Sequence, residues 1–193
     1  MFIQTESTPN PQTLKFLPGQ DVLGKGGRDF PTREDAAGSP LAAALFEIEG
    51  VERVYLGADF LTISKAESLD WAHLKPHVLA AIMDHFTSGA PVVLEGADAP
   101  AEASAEKERV YEGEAAEIVT ELKELIEARV RPAVARDGGD ITFHEWDHDE
   151  GVVYLQMKGA CAGCPSSTMT LKQGIENMLR HYVPEVNRVE QVV

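Results

Sequence analysis

Cysteine is scarce in this chain: its 193 residues include only two thiols, Cys161 and Cys164. Two neighbouring cysteines cannot form the disulfide framework that holds small secreted proteins together. They also supply only half of the four thiolates that an all-cysteine zinc site or a cubane iron–sulfur cluster needs. A complete site of that kind requires a second copy of the motif, and an identical subunit across a two-fold axis is the most economical source.

Positive charge is also scarce, with 17 Lys and Arg against 32 Asp and Glu, a formal net charge of −15. This balance argues against nucleic acid and against an anionic membrane surface as partners, because both would repel the chain. No apolar run approaches the roughly 20 residues that span a bilayer. The opening residues Met1–Glu6 lack the basic and apolar regions of a signal or transit peptide. We therefore expect a cytoplasmic location, with no nucleic-acid or membrane partner.

One segment has almost no large apolar side chains. Residues 95–112 are rich in Ala and Glu, a composition that predicts a solvated linker. The remaining sequence divides into a first domain, residues 1–94, and a second domain, residues 113–193. The hydrophobic fraction of 44% is enough for a core in each of them.

The periodicity of apolar residues predicts that both domains are small α+β units. In the first domain we expect strands over 13–17, 51–56 and 60–64, helices after Ser39-Pro40 and over 70–87, and a loop over 19–38. In the second domain a long helix interrupted by Pro132 stops at Asp137-Gly138-Gly139-Asp140. Strands over 141–146 and 152–157, a helix over 166–182 and a strand over 186–192 follow. The order is helix, strand, strand, helix, strand.

The two cysteines lie in Gly159-Ala160-Cys161-Ala162-Gly163-Cys164-Pro165. Small neighbours let the backbone wrap closely around a metal cluster and leave room for a facing copy. Pro165 favours the first turn of a helix, which predicts Cys164 at or near the helix N-cap. The positive end of the helix dipole would lower the pKa of a thiol there, which helps both metal binding and redox reactivity.

This spacing alone leaves several uses open: an iron–sulfur cluster, a zinc site shared by two subunits, a dithiol–disulfide couple, or two small buried residues in a turn. For a redox role of the thioredoxin kind we would expect a βαβ pattern near the motif, and no parallel crossover is predicted before it. Stoichiometric zinc without transfer would indicate a structural zinc-linked dimer.

Histidines and aspartates offer weaker metal-site candidates. His73 and His77 are spaced i, i+4 on one predicted helix, but no thiol is near and exposed histidines are the simpler interpretation. His144 and His148 flank an acidic turn, where we expect them to be solvated. Asp137-Gly138-Gly139-Asp140 is better explained as a helix stop with a turn than as a cation site.

The second domain resembles the C-terminal domain of NifU, the Nfu domain. The matching residues are Val130-Arg131-Pro132, Asp137-Gly138-Gly139-Asp140, the run from Gly159 to Ser167, and Thr170-Leu171-Lys172. The first domain resembles the N-terminal domain of Nfu-type scaffold proteins, at Thr8-Pro9-Asn10-Pro11, Lys15-Phe16, Gly50-Val51 and Ser88-Gly89. Together the two matches cover nearly the whole chain.

This resemblance implies an iron–sulfur cluster scaffold or carrier that is not an enzyme. It implies a [4Fe–4S] cluster bridged between the two subunits of a homodimer, with Cys161 and Cys164 as cofactor-binding and metal ligands. It also implies apo iron–sulfur proteins as clients and an upstream cluster-assembly scaffold as a partner. The first domain has no cysteine, so we expect it to select clients rather than to bind the cluster.

Overall fold

The computed structural model describes residues 2–94, 111–162 and 165–192, without the side chains of residues 165–168. The chain forms two compact units, Met1–Ala99 and Pro100–Val193, each with its own hydrophobic core. The predicted linker, 95–112, lies almost wholly outside the described residues, so its limits stay a prediction. Both units combine helices with a sheet, which confirms the predicted α+β class with two domains.

The first unit contains an antiparallel sheet of five strands in the order β1-β2-β5-β4-β3. Its strands are β1 (Gln4–Ser7), β2 (Thr13–Leu17), β3 (Arg28–Phe30), β4 (Val51–Leu56) and β5 (Leu61–Lys65). The predicted loop over 19–38 is wrong in part, because it contains β3 and a 3₁₀ helix, Glu34–Gly38. Three residues are too few for an alternating pattern, and β3 forms only through its pairing with β4.

Two helices of the first unit, α1 (Pro40–Phe46) and α2 (Trp71–Ser88), each begin after a residue whose side chain caps the helix. Ser39 Oγ accepts a hydrogen bond from Ala42 N at 3.2 Å, and Asp70 Oδ1 accepts one from Ala72 N at 3.0 Å. Both helices bury apolar side chains in the core formed with the sheet, which includes the fully buried Phe16, Leu45 and Ile82.

The second unit begins with a helix that changes its hydrogen-bond register. Helix α3 (Glu114–Leu125) passes into a π-helical segment, Ile126–Val130, and then into α4 (Arg131–Arg136). Arg131 N donates to Ile126 O, five residues back. Pro132 follows at once, and its ring would crowd the carbonyl of a regular α-helix. The wider π-helical turn accommodates Pro132. The sequence predicted that this proline interrupts the helix.

The sheet of the second unit has the order β6-β7-β8. Strands β6 (Gly139–Asp147) and β7 (Val152–Gly159) pair antiparallel; helix α5 (Pro165–Tyr182) follows, and β8 (Arg188–Val192) pairs parallel to β7. The predicted order of elements is confirmed. Within the described ranges, no helix has the length and apolar character needed to cross a bilayer.

Candidate metal-binding loop

Cys161 lies in the turn that connects β7 to α5. Gly159 ends β7 with a φ of 61°, a left-handed conformation that favours glycine. Ala162 N donates to Gly159 O at 3.0 Å, and Ala160 N donates to Gly138 O at 3.2 Å. The second bond ties the turn to the residues that follow α4, so the end of that helix and the start of the loop are held together.

The thiol of Cys161 is directed into the core of the second unit. Cys161 is 7% exposed and belongs to the hydrophobic cluster built on α3, α4, α5 and the sheet. Gly139, the first residue of β6, lies directly against it. A β-carbon at Gly139 would overlap Cys161 Sγ and come within 3.1 Å of Cys161 N. The absence of a side chain at residue 139 therefore makes the space that the sulfur occupies.

Burial raises the pKa of the Cys161 thiol to about 12, and the nearby carboxylates of Asp137 and Asp140 raise it further. The lowered thiol pKa is predicted for Cys164 at the start of the helix, and because Cys164 lies outside the described residues it stays a prediction. At Cys161, burial and the two carboxylates act in the opposite direction. A bound cation would reverse the effect, since a coordinating thiol is deprotonated by the metal's own charge.

Beside the loop, Arg131 and Asp140 form a buried bidentate ion pair. Arg131 Nε donates to Asp140 Oδ1 and Nη2 to Asp140 Oδ2, both at 2.8 Å, while Nη1 reaches Glu127 Oε1 at 2.7 Å. Asp140 Oδ1 also accepts from Ile141 N at 2.8 Å. These bonds fasten the start of β6, and with it Gly139, to the π segment and α4. Within the described residues Asp140 is thus a structural anchor, not a cation ligand.

Family descriptions match both units. "Scaffold protein Nfu/NifU N terminal" matches residues 3–89, and "NifU-like domain" matches residues 122–190. NifU-like protein 5, mitochondrial, of Arabidopsis thaliana is 50% identical over 191 residues, which are 99% of this chain and 68% of that protein. The chain belongs to the Nfu family of NifU-like scaffold proteins.

Another Nfu relative, "NFU1 iron-sulfur cluster scaffold homolog, mitochondrial" of Drosophila ananassae, is 51% identical over 193 residues, which are 100% of this chain and 64% of that protein. The chain thus spans about two thirds of the length of these relatives. A solution NMR structure of a NifU-like protein from Saccharomyces cerevisiae resembles 49% of this chain and 86% of that one, at 29% identity and a TM-score of 0.45.

The predicted cytoplasmic location is contradicted by these comparisons, because both relatives are named mitochondrial. The expectation rested on composition and on the residues at the start of the sequence. Location is set by address segments that are read separately from folded domains. Charge and apolar content of the two domains therefore could not decide it.

Of the two candidate cysteines of this Nfu chain, the structure describes Cys161. Cys164 lies outside the described residues, and α5 begins at the residue after it, Pro165. Across the described parts of the chain, no group of three or more His, Cys, Asp and Glu is placed to hold a metal ion. The assignment of both thiols as metal ligands therefore remains a prediction.

The histidine candidates lie apart from the loop in sequence and environment. His73 and His77 are exposed on α2 and line a surface groove of about 560 Å³ together with Glu47, Glu49 and Asp70. His148 is exposed as expected. His144 is half-buried rather than solvated, because it lies within β6.

The parallel pairing of β8 corrects the argument against a redox role. The segment β7–α5–β8 is a βαβ crossover, and the cysteine motif lies in its first connection. Sequence reasoning expected no crossover before the motif, but did not predict which way the last strand pairs. The fold therefore does not separate a metal site from a dithiol site in this Nfu chain.

Proposed function

We propose that the chain is an iron–sulfur cluster carrier, in which two subunits bind one [4Fe–4S] cluster through Cys161 and Cys164 of each and transfer it to apo-proteins. The observation that carries this proposal is the position of Cys161. It lies in the turn between β7 and α5, against a glycine that leaves space for its sulfur, in a chain of a scaffold family. Two thiols per chain and four per cluster require the second subunit.

The cluster is the cargo, and the chain's residues act on it by ligand exchange. A client with better-organised thiolates displaces Cys161 and Cys164 from each subunit in turn. The difference in affinity drives the transfer, so no enzymatic turnover is involved. Asp137 and Asp140 disfavour a negative charge on Cys161, and the residue is only 7% exposed. We infer that the Cys161 sulfur turns outward when the cluster binds. The cluster is therefore bound weakly, which favours its release to a client.

We further propose that an upstream cluster-assembly scaffold is a partner of the chain and that the first unit selects the clients. That unit contains neither cysteine of the chain, so it cannot supply thiolate ligands. Removal of residues 1–94 should leave cluster binding intact and slow transfer to some apo-proteins. Equal transfer rates to every apo-protein tested would contradict client selection by this unit.

The decisive measurement is the content of iron, acid-labile sulfide and zinc per chain in protein isolated without oxygen. One four-iron cluster per dimer predicts about two irons and two sulfides per chain. Zinc at about half an equivalent without sulfide would indicate a structural zinc-linked dimer instead and would overturn the carrier proposal.

Cysteine variants test whether the iron and sulfide are bound by Cys161 and Cys164. Cys161→Ser and Cys164→Ser should each abolish cluster binding while the first unit stays folded. The matched control is His73→Gln with His77→Gln, which removes a closely spaced pair of imidazole ligands on α2 and should keep the full iron and sulfide content. A cysteine variant that still holds a complete cluster would refute the ligand assignment.

A dithiol oxidoreductase is the second candidate, because the crossover β7–α5–β8 carries the motif in its first connection. It predicts a reversible Cys161–Cys164 disulfide and turnover with a thiol substrate. Iron and sulfide in equal amounts, together with no such turnover, would exclude it as the function of this motif.

A further inference from the structure

Helix α5 exposes a face that carries no charge. Its exposed residues between 169 and 177 are all neutral: Met169, Thr170, Gln173, Gly174 and Asn177. We call these five residues the neutral face. In the same unit, α3 exposes four glutamates: Glu114, Glu117, Glu121 and Glu124. Since a quarter of the chain is charged, at 25%, a solvated helix here is expected to resemble α3.

The charged residues of the same stretch are engaged with β8. Lys172 Nζ forms an ion pair with Glu190 Oε2 at 2.7 Å. Glu176 Oε2 accepts a hydrogen bond from Val189 N at 3.1 Å. Both side chains are only partly exposed. The two charged residues between 169 and 177 therefore bind β8, and the exposed residues of the same stretch are neutral.

Two members of the neutral face are unusual for a solvated surface. Met169 is 63% exposed, and methionine with a lack of charge is typical of the centres of protein interfaces. Gly174 lies in the helix interior, where glycine is unfavourable relative to alanine. A β-carbon there would meet nothing within 4 Å, so packing within the chain does not require glycine. Glycine does allow another backbone to approach closely.

We propose that the neutral face binds the same face of a second copy of this chain. The inference rests on the proposed function, in which the thiolates of one cluster come from two chains. The neutral face begins at Met169, one helical turn after Pro165, and Pro165 directly follows Cys164 in sequence. A second chain that supplies two more thiols to the loop therefore lies against the neutral face. Each copy carries a net charge of −15, so two copies repel each other least where they meet without charges.

The test adds charge to the neutral face without changing its shape. The double variant Gln173→Glu and Asn177→Asp introduces two negative charges per chain on that face. The matched control, Gln4→Glu and Gln20→Glu, adds the same charge at two exposed residues of the first unit. All proteins are reconstituted with iron and sulfide without oxygen, and the dimer dissociation constant is measured by sedimentation equilibrium.

We expect the dimer dissociation constant of the face variant to rise at least about tenfold, and its cluster content per chain to fall accordingly. The dimer dissociation constant of the control should equal that of the wild type. Gly174→Gln tests close approach separately. Its side chain points into open space, so the chain without cluster should melt at or above the wild-type temperature while the dimer weakens.

The outcomes distinguish this inference from the proposed function. If the wild type itself takes up no iron and sulfide, the proposed function is wrong. If the wild type forms a cluster-bound dimer and the face variants form it equally well, the proposed function stands and the neutral face is not its interface. If the face variants dimerise normally but transfer the cluster more slowly to an apo-protein, the face binds clients, which also overturns the proposal.

Discussion

Gly139 and Cys161 are in such close contact that the sulfur of one occupies the place of a side chain on the other. Gly139 opens β6 and Cys161 follows the end of β7, so both ends of one hairpin meet at this point. The geometry of the cysteine loop therefore depends on a residue more than twenty positions earlier in the sequence.

Gly139→Ala should displace Cys161 and its loop. The added methyl group overlaps Sγ, and overpacking of this kind costs about 1–3 kcal/mol of stability. We expect a lower free energy of unfolding of the second unit and a reduced iron and sulfide content after reconstitution. Gly174→Ala, measured in the metal-free chain, is the control for stability alone, because its β-carbon meets nothing within the chain. Equal stability and equal iron content in Gly139→Ala and the wild type would contradict the close packing.

Arg131→Met should destabilise the second unit through Asp140. The Asp140 side chain is 7% exposed, so removal of Arg131 leaves a buried carboxylate without its bidentate partner. Breaking a buried pair costs about 3 kcal/mol or more, whereas an exposed pair contributes less than about 1 kcal/mol.

The control for that variant is Arg188→Met, whose pair with Glu150 has both side chains more than half exposed, at 53% and 62%. Urea unfolding followed by the fluorescence of Trp146, which is buried in the second unit, measures both variants in a Trp71→Phe background, because Trp71 is the chain's other tryptophan. A loss of stability that is no larger for Arg131→Met than for Arg188→Met would show that the Arg131–Asp140 pair is not a structural anchor.

The Cys161 thiol should react slowly with alkylating reagents in the metal-free chain. Burial raises its pKa to about 12, above the usual value of 9.0, so the thiol stays protonated at pH 8. In Cys164→Ala, which leaves Cys161 as the remaining thiol, we expect a rate at pH 8 at least about a hundredfold below that of an exposed cysteine.

The dependence of the alkylation rate on pH tests whether the pKa of the Cys161 thiol is raised. The alkylation rate of Cys161 should keep rising beyond pH 9 in the folded chain, while the same variant unfolded in urea should level off near that pH. The folded state disfavours the thiolate, so its stability should also fall as pH rises above 9. A plateau below pH 9 in the folded chain would show that Cys161 is solvated.

His85 should make the first unit sensitive to acid. Burial lowers the pKa of this histidine below 6.5, and its Nε2 has no hydrogen-bond partner in the part of the chain that the structure describes. The neutral form is favoured in the folded state, so its contribution is complete above pH 6.5 and is lost as pH falls. Urea unfolding of His85→Gln should show a shallower loss of stability below pH 6.5. His73→Gln, at an exposed position, should behave as the wild type does.

Much of the fold could be predicted from local patterns. The alternation in Thr13–Leu17, the cap at Ser39 and the helical spacing of Leu74, Val78 and Ile82 each depend on neighbours within a few residues. Strand β3 and the parallel pairing of β8 could not be predicted in this way. Both depend on partners far along the chain, and the three residues of β3 carry no periodic signal.

The candidate site likewise has features that the sequence predicts and features that depend on tertiary packing. The spacing of Cys161 and Cys164 and the small residues around them are visible in the sequence and indicate a metal or dithiol loop. The direction of the Cys161 side chain is not visible in the sequence, because it depends on how α4 and β6 surround the loop. The raised pKa of this thiol follows from that burial and from Asp137 and Asp140, and the spacing of the two cysteines reveals neither of these causes.

The sequence by itself determined the number of thiols, their spacing, the family and the order of the elements in the second unit, because each of these is carried by residue identity or by short-range periodicity. The tertiary structure decided that Cys161 faces the core against Gly139, that Asp140 is bound by Arg131, and that Lys172 of α5 pairs with Glu190 of β8. Those relationships join residues from separate elements, and only the packing of these elements fixes which groups are desolvated, paired or left exposed.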